Sequence, residues 1–256
     1  MRLAAALFAA FTAAVAMSNP LSAQTLTLAA DEWCPYNCAA GSPRPGYMVE
    51  IAQQVFAKQG LKVEYVVMPW SRALAEAAAG RIDGVFGATR SEFKDGVFPT
   101  KSQGASVNAL ATLSAAPVRY DGVETLKKLR LGAVKDYSYD QGPIDAYLAS
   151  PDAAGKVDLL SGGGVQEQNL RKLLGGRIDA WLENKNVVMW TAAAATPKPE
   201  LAVTPLGDAD PVFIAFSPAK PDAAKWAAAI DAGLAEMRAS GSLATLLAAY
   251  NLADWE

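Results

Sequence analysis

Trp33, Tyr36 and Tyr47 fall within one stretch, residues 31–47, together with three prolines and two glycines. That is more aromatic surface than a turn needs. Ring faces in a cleft stack on flat or cationic molecules; the other use of such rings is to cover a core. Trp70, beside Pro69, offers the same two readings. Arg72 and Arg90 are the candidate anion anchors, because a guanidinium meets a carboxylate with two parallel hydrogen bonds. The alternative is that both are ordinary surface arginines. Tyr137-Ser138-Tyr139 supplies hydroxyls which, with the next helix N-terminus, suit an anionic group. Glu183 and Asn184 suit a cationic or hydroxyl group.

Catalysis has less support. The chain contains no histidine, which removes the commonest general base and the commonest transition-metal ligand. Glu183 is the one strong acid–base candidate. No catalytic residue, metal site or cofactor is expected, although Asp/Glu or Lys chemistry stays open. Gly162-Gly163-Gly164 lacks the spacing and the lysine of a phosphate loop and reads as a connector.

The elements that position these residues follow from periodicity. Residues 25–30 alternate as a strand, 48–56 carry an apolar helical face, and 61–67 alternate again. A helix follows Trp70, with Ser71 a candidate cap, and then an apolar strand at 85–88. The order β-α-β-α-β implies a mostly parallel sheet. The same order repeats from strand 130–134 to strand 180–182. Each repeat contains one phrase, Gly80-Arg81-Ile82-Asp83 and Gly176-Arg177-Ile178-Asp179, 96 residues apart. Glycine just past a helix takes the left-handed conformation that ends it, and isoleucine opens a buried strand. Chance reuse of a connector is one explanation; two lobes built alike is the other. In open α/β sheets ligands sit beyond the carboxyl ends of strands. Trp33, Tyr36, Tyr47, Trp70, Arg72, Thr89, Arg90, Tyr137, Tyr139, Glu183 and Asn184 all follow or end predicted strands.

Composition sets the compartment. The chain has 256 residues, 52% hydrophobic, with 23 basic and 26 acidic side chains. No basic stripe points to nucleic acid. Residues 1–23 read as a signal peptide: Arg2, an Ala-rich apolar run too short to span a bilayer, and a small residue at Ala23. Ala16 is the alternative cleavage site. No later stretch has the length of a span and no lipid-bearing cysteine ends the signal, so export without a membrane anchor is expected. Export permits a disulfide between Cys34 and Cys38. Free thiols or a redox role are the alternatives, but a C-x-x-C motif has two intervening residues, not three.

These features together resemble family 3 of the bacterial solute-binding proteins, the periplasmic receptors of ABC importers. The resemblance rests on Pro45-Gly46-Tyr47-Met48-Val49-Glu50-Ile51, on Met68-Pro69-Trp70 with Arg72, and on the two Gly-Arg-Ile-Asp phrases. Val212-Phe213-Ile214-Ala215-Phe216-Ser217 and Gly241-Ser242-Leu243 before Tyr250 complete it. It implies a two-lobed α/β periplasmic binding protein fold of type II with two crossover strands. Lobe 1 would comprise residues 24–108 and 212–256, and lobe 2 residues 109–211. It further implies a monomeric periplasmic protein that closes on a small-molecule ligand, most often a polar amino acid, and presents it to a membrane permease. Members place Thr-x-x-Arg after the third strand to grip the ligand's carboxylate. Here Thr89-Arg90 is followed by Ser91-Glu92, a shortened stretch with Arg90 out of register. Glu183-Asn184 stands where many members have the Asp that pairs with the ligand's amine.

The expected ligand is small and polar and bears a carboxylate. Arg72 and Arg90 would anchor it, Trp33, Tyr36 and Trp70 would wall it, and Tyr137, Tyr139 and Glu183 would close from the second lobe. If the arginines do not serve, the aromatic walls and Glu183 favour a neutral or cationic ligand. A dehydratase-like enzyme on the same scaffold and an input protein for a membrane sensor are the competing functions.

Overall fold

A computed structural model describes residues 24–256; the expected signal segment lies outside the described residues. In chain order the first elements are β1 (Thr25–Ala30), α1 (Tyr47–Ala57), β2 (Lys62–Val67), α2 (Trp70–Ala78), β3 (Gly84–Ala88) and β4 (Gly104–Ser106). Next come β5 (Asn108–Leu113), α3 (Val123–Leu126), β6 (Leu131–Val134), α4 (Pro143–Leu148), β7 (Val157–Leu160) and α5 (Val165–Leu174). The chain ends with β8 (Ala180–Asn184), α6 (Lys185–Ala194), β9 (Leu201–Pro205), β10 (Asp210–Phe216), α7 (Ala223–Ala239) and α8 (Ser242–Ala248).

Two five-stranded sheets result, ordered β2-β1-β3-β10-β4 and β7-β6-β8-β5-β9. The first three strands of each are parallel, and β10 in one and β5 in the other run antiparallel to both their neighbours. The antiparallel pair is what a chain that leaves a lobe and returns must add to a β-α-β-α-β unit. The chain passes between the sheets twice, from β4 to β5 and from β9 to β10. The arrangement matches the expected two-lobed α/β fold with two crossovers.

Helices cover both faces of each sheet, so the central strands are buried throughout. On β1, Leu26, Leu28 and Ala30 pack with α1, α7 and α8, while Ala29 packs with α2 and Phe93. In the second sheet, Leu131, Ala180 and Leu182 face α4, and Ala111 and Trp181 face α5 and α6. The C-terminal helices α7 and α8 therefore belong to the first sheet's core.

The doubled phrase does the same task twice. Gly80 and Gly176 are left-handed, with φ of 72° and 62°. Asp83 accepts the Thr27 N–H at 2.8 Å and Asp179 accepts the Arg130 N–H at 2.8 Å. In return the Asp83 N–H donates to the Thr27 carbonyl and the Asp179 N–H to that of Arg130. Each aspartate thus pins the third strand to the start of the first in its own lobe. Gly46 is fixed differently: a Cβ there would lie 2.4 Å from the Asn37 Cα and the Tyr36 carbonyl. Only glycine lets the loop after β1 fold back on the start of α1.

Candidate functional site

The two lobes enclose a cavity at the carboxyl ends of the parallel strands. Its volume is about 60 Å³, where one water takes roughly 10–15 Å³, so the enclosed form suits a small molecule. The first lobe contributes Asp31, Trp33 and Asn37 after β1, Trp70 at the start of α2, Phe86 and Gly87 on β3, and Thr89 and Glu92 just beyond. The second contributes residues 137–141 after β6 and Glu183 near the end of β8. No lysine or arginine is among the lining residues.

The loop after β1 is built to hold Trp33. The Cys34–Cys38 disulfide ties it, the Trp33 N–H donates to the Asn37 carbonyl at 2.7 Å, and the Asn37 amide donates to the Asp31 carbonyl at 2.6 Å. Tyr36 stacks beneath the indole with ring centroids 4.0 Å apart. The indole N–H then crosses the cleft to Glu183 Oε1 at 3.0 Å. A second crossing runs from the Tyr137 hydroxyl to Asp31 Oδ2 at 2.5 Å. Within lobe 1, Glu92 Oε2 accepts the Thr89 N–H at 3.1 Å and the Thr89 hydroxyl at 2.7 Å, and Glu92 Oε1 accepts the Trp70 indole N–H at 3.3 Å.

Burial sets the charge state. It pushes the Asp31 carboxyl up to about 6, held from going further by the Tyr137 hydrogen bond and helped upward by the charges of Glu92 and Glu32. Glu183 is pushed up to about 7 by burial, against the N–H groups of Asn184 and Trp33 that favour its charged form. Glu92 is raised by burial too, with Thr89 and Trp70 opposing. Burial, with Asp31 and Glu183 nearby, holds the phenols of Tyr137 and Tyr139 well above the usual range, so both stay neutral donors.

Of the expected site residues, Trp33, Trp70, Thr89, Tyr137, Tyr139 and Glu183 line the cavity. The other five do not, and each has a physical reason. Arg72 is exposed and lies near Glu76 one turn on, at 3.8 Å. It is two residues past Trp70, about 200° round the helix, so the two cannot face the same way. The Arg90 guanidinium donates to the Pro99 carbonyl at 2.8 Å and lies over the rings of Phe98 and Phe213, 4.8 and 4.7 Å from their centroids. Neither arginine, expected as an anchor of a cleft ligand, lines the cavity.

Tyr36 and Tyr47 are fully buried in the lobe 1 core, where Tyr36 backs Trp33 and Tyr47 packs against Tyr36, Tyr250 and Trp255. Asn184 caps α6, its side-chain oxygen accepting the N–H groups of Asn186 at 2.7 Å and Val187 at 3.2 Å. Sequence reasoning missed Asp31, Asn37 and Glu92. Asp31 stands immediately after β1, where the strand-end rule pointed, and Glu92 lies in the shortened stretch already singled out.

A profile of the bacterial extracellular solute-binding proteins, family 3, matches residues 26–253. The chain belongs to this family. A comparison with curated proteins finds no match. Among solved structures, a histidine kinase sensor domain with similarity to periplasmic binding proteins superposes with a TM-score of 0.70 at 21% identity, over 88% of this chain and 95% of that one. An ancestral arginine-binding protein bound to arginine superposes at 0.71 with 18% identity, over 88% and 97%. AbpA, an amino acid ABC transporter substrate-binding protein from Streptococcus pneumoniae bound to L-arginine, gives 0.66 with 20% identity, over 88% and 94%. At these identities the likeness is one of fold. For a family 3 protein the cavity between the lobes is the natural place to look for the solute.

Proposed function

We propose that the chain is a non-catalytic periplasmic receptor that closes as a monomer on a small ligand and presents it to the permease of an ABC importer. The observation that carries this reading is the pair of lobe-to-lobe hydrogen bonds, Trp33 to Glu183 and Tyr137 to Asp31. Both end on carboxylates of the cavity itself, so closure and the contents of the cavity are coupled. A ligand that contacts both lobes shifts the population toward the closed form by its differential affinity for that form. Arg72 and Arg90 do not line the cavity, so this reading does not rest on a carboxylate-bearing ligand. Small-angle scattering tests the mechanism: ligand should lower the radius of gyration, and a chain whose scattering does not respond to bound ligand would contradict it.

A sensory role is the second reading, favoured by the likeness to a kinase sensor domain. Deleting the gene separates the two: loss of solute uptake supports transport, and loss of a transcriptional response with uptake intact supports sensing. A dehydratase-like enzyme would consume its ligand, so recovery of unchanged ligand after long incubation supports the receptor.

A further inference from the structure

Several of the cavity's hydrogen-bond donors already end on its own carboxylates. Five N–H and O–H groups of lining residues end on three carboxylates of the cavity: the indoles of Trp33 and Trp70, the backbone and hydroxyl of Thr89, and the phenol of Tyr137. Two acceptor atoms of lining residues have no hydrogen-bond partner. Glu183, only 1% exposed, has its Oε2 without a partner, and Asn37, also 1% exposed, has its Oδ1 without one. Both residues line the cavity. A buried acceptor without a donor costs free energy until something supplies one. The rings of Trp33, Trp70 and Tyr137 also line the cavity, and an aromatic face attracts a cation. An entering carboxylate would meet Asp31, Glu92 and Glu183 with no basic side chain lining the cavity to offset them.

We propose that the cavity selects a small organic cation without a carboxylate group, and that Glu92 sets this preference by occupying the donors that would otherwise hold a ligand's carboxylate. Glu92 acts as a built-in anion: its two oxygens take the Thr89 N–H, the Thr89 hydroxyl and the Trp70 N–H. The inference rests on the reading of the cleft as the ligand site. It adds the sign of the ligand and the residue that decides it.

The test uses matched probes that differ in the carboxylate: choline against glycine betaine, methylguanidine against guanidinoacetate, and agmatine against arginine, measured by calorimetry on the mature protein. At least one carboxylate-free probe should bind about tenfold or more tighter than its partner, the worth of one charge-assisted hydrogen bond. Glu92→Ala should shrink that preference about tenfold or reverse it, by freeing the Thr89 and Trp70 donors. Glu92→Gln, which keeps the shape, should shrink it less, and circular-dichroism melts establish that each variant folds.

Carboxylate-bearing probes that bind as tightly as their partners would overturn the inference and leave the cleft as the site. Failure of every probe at millimolar concentration would also count against the proposed cation class. A probe whose binding is unchanged in both Trp33→Ala and Glu183→Gln would sit elsewhere, and would overturn the reading of the cleft itself.

Discussion

The indole N–H of Trp33 donates to Oε1 of Glu183 across the cleft at 3.0 Å, and the other carboxylate oxygen of Glu183 has no partner. The same carboxyl also has the Gln166 side chain beside it, which favours its charged form. A buried, half-satisfied carboxylate is costly in the empty protein, and that cost has measurable consequences.

The first concerns pH. Burial raises the Glu183 carboxyl from 4.5 to about 7 and that of Asp31 from 3.8 to about 6. The folded protein therefore keeps protons that the unfolded chain has released. Stability of the empty protein falls as pH rises from about 4 to about 7 and then levels off. Glu183→Gln should stabilise the empty protein at pH 8, by at most on the order of 3 kcal/mol, and change little at pH 4. Thermal melts at the two pH values check this; a variant less stable than the parent at pH 8 would contradict it.

Tyr137→Phe removes the second crossing while keeping the ring. The hydroxyl lowers the Asp31 carboxyl's affinity for its proton, so its loss should raise that carboxyl further. Loss of a hydrogen bond to a charged group, worth about 1.5–3 kcal/mol, should favour the open form. Scattering of the ligand-bound variant should show a larger radius of gyration than that of the parent.

The disulfide should matter locally. Cys34 and Cys38 are four apart in sequence, and so short a loop constrains the unfolded chain little. Replacing both cysteines by serine should lower the melting temperature only slightly and weaken ligand binding more, because Trp33 lies in the loop they tie. Intact mass after alkylation without reductant tests the bond itself; two alkylated cysteines in exported protein would exclude it.

Arg72→Ala should leave ligand affinity within about twofold of the parent, since its guanidinium is exposed and near Glu76. Arg90→Ala should also bind normally but cost about 1–2 kcal/mol of stability, from the contacts with Phe98, Phe213 and Pro99. A loss of binding of tenfold or more in either variant would restore the anion-anchor reading.

The successes and failures of the sequence reading divide along one line. The alternation at Leu26 and Leu28, the helical face of Met48, Ile51 and Val55, and the Gly-Arg-Ile-Asp phrases are local patterns with local causes, so the two repeated units were legible. The direction of a side chain was legible only where its helix had a readable phase. Trp70, Ala73 and Ala77 share the buried face of α2, and that spacing puts Arg72 on another face. Arg90 was not readable, because Phe213, one of its two aromatic partners, comes from a strand more than a hundred residues away. Residue type could not say whether Tyr36 and Tyr47 face a ligand or a core. Asn184 carried its own signal, an asparagine directly before a helix, which is the preferred cap.

The central claim is that the cleft holds a small solute in the cavity that Trp33 and Glu183 line. Native mass spectrometry of the protein exported from its own host measures this most directly. The parent should carry a small adduct that is released on unfolding and carries no carboxylate, and the Trp33→Ala, Glu183→Gln double variant should lose it. Parent protein without an adduct, or an adduct that the double variant retains, would contradict the account.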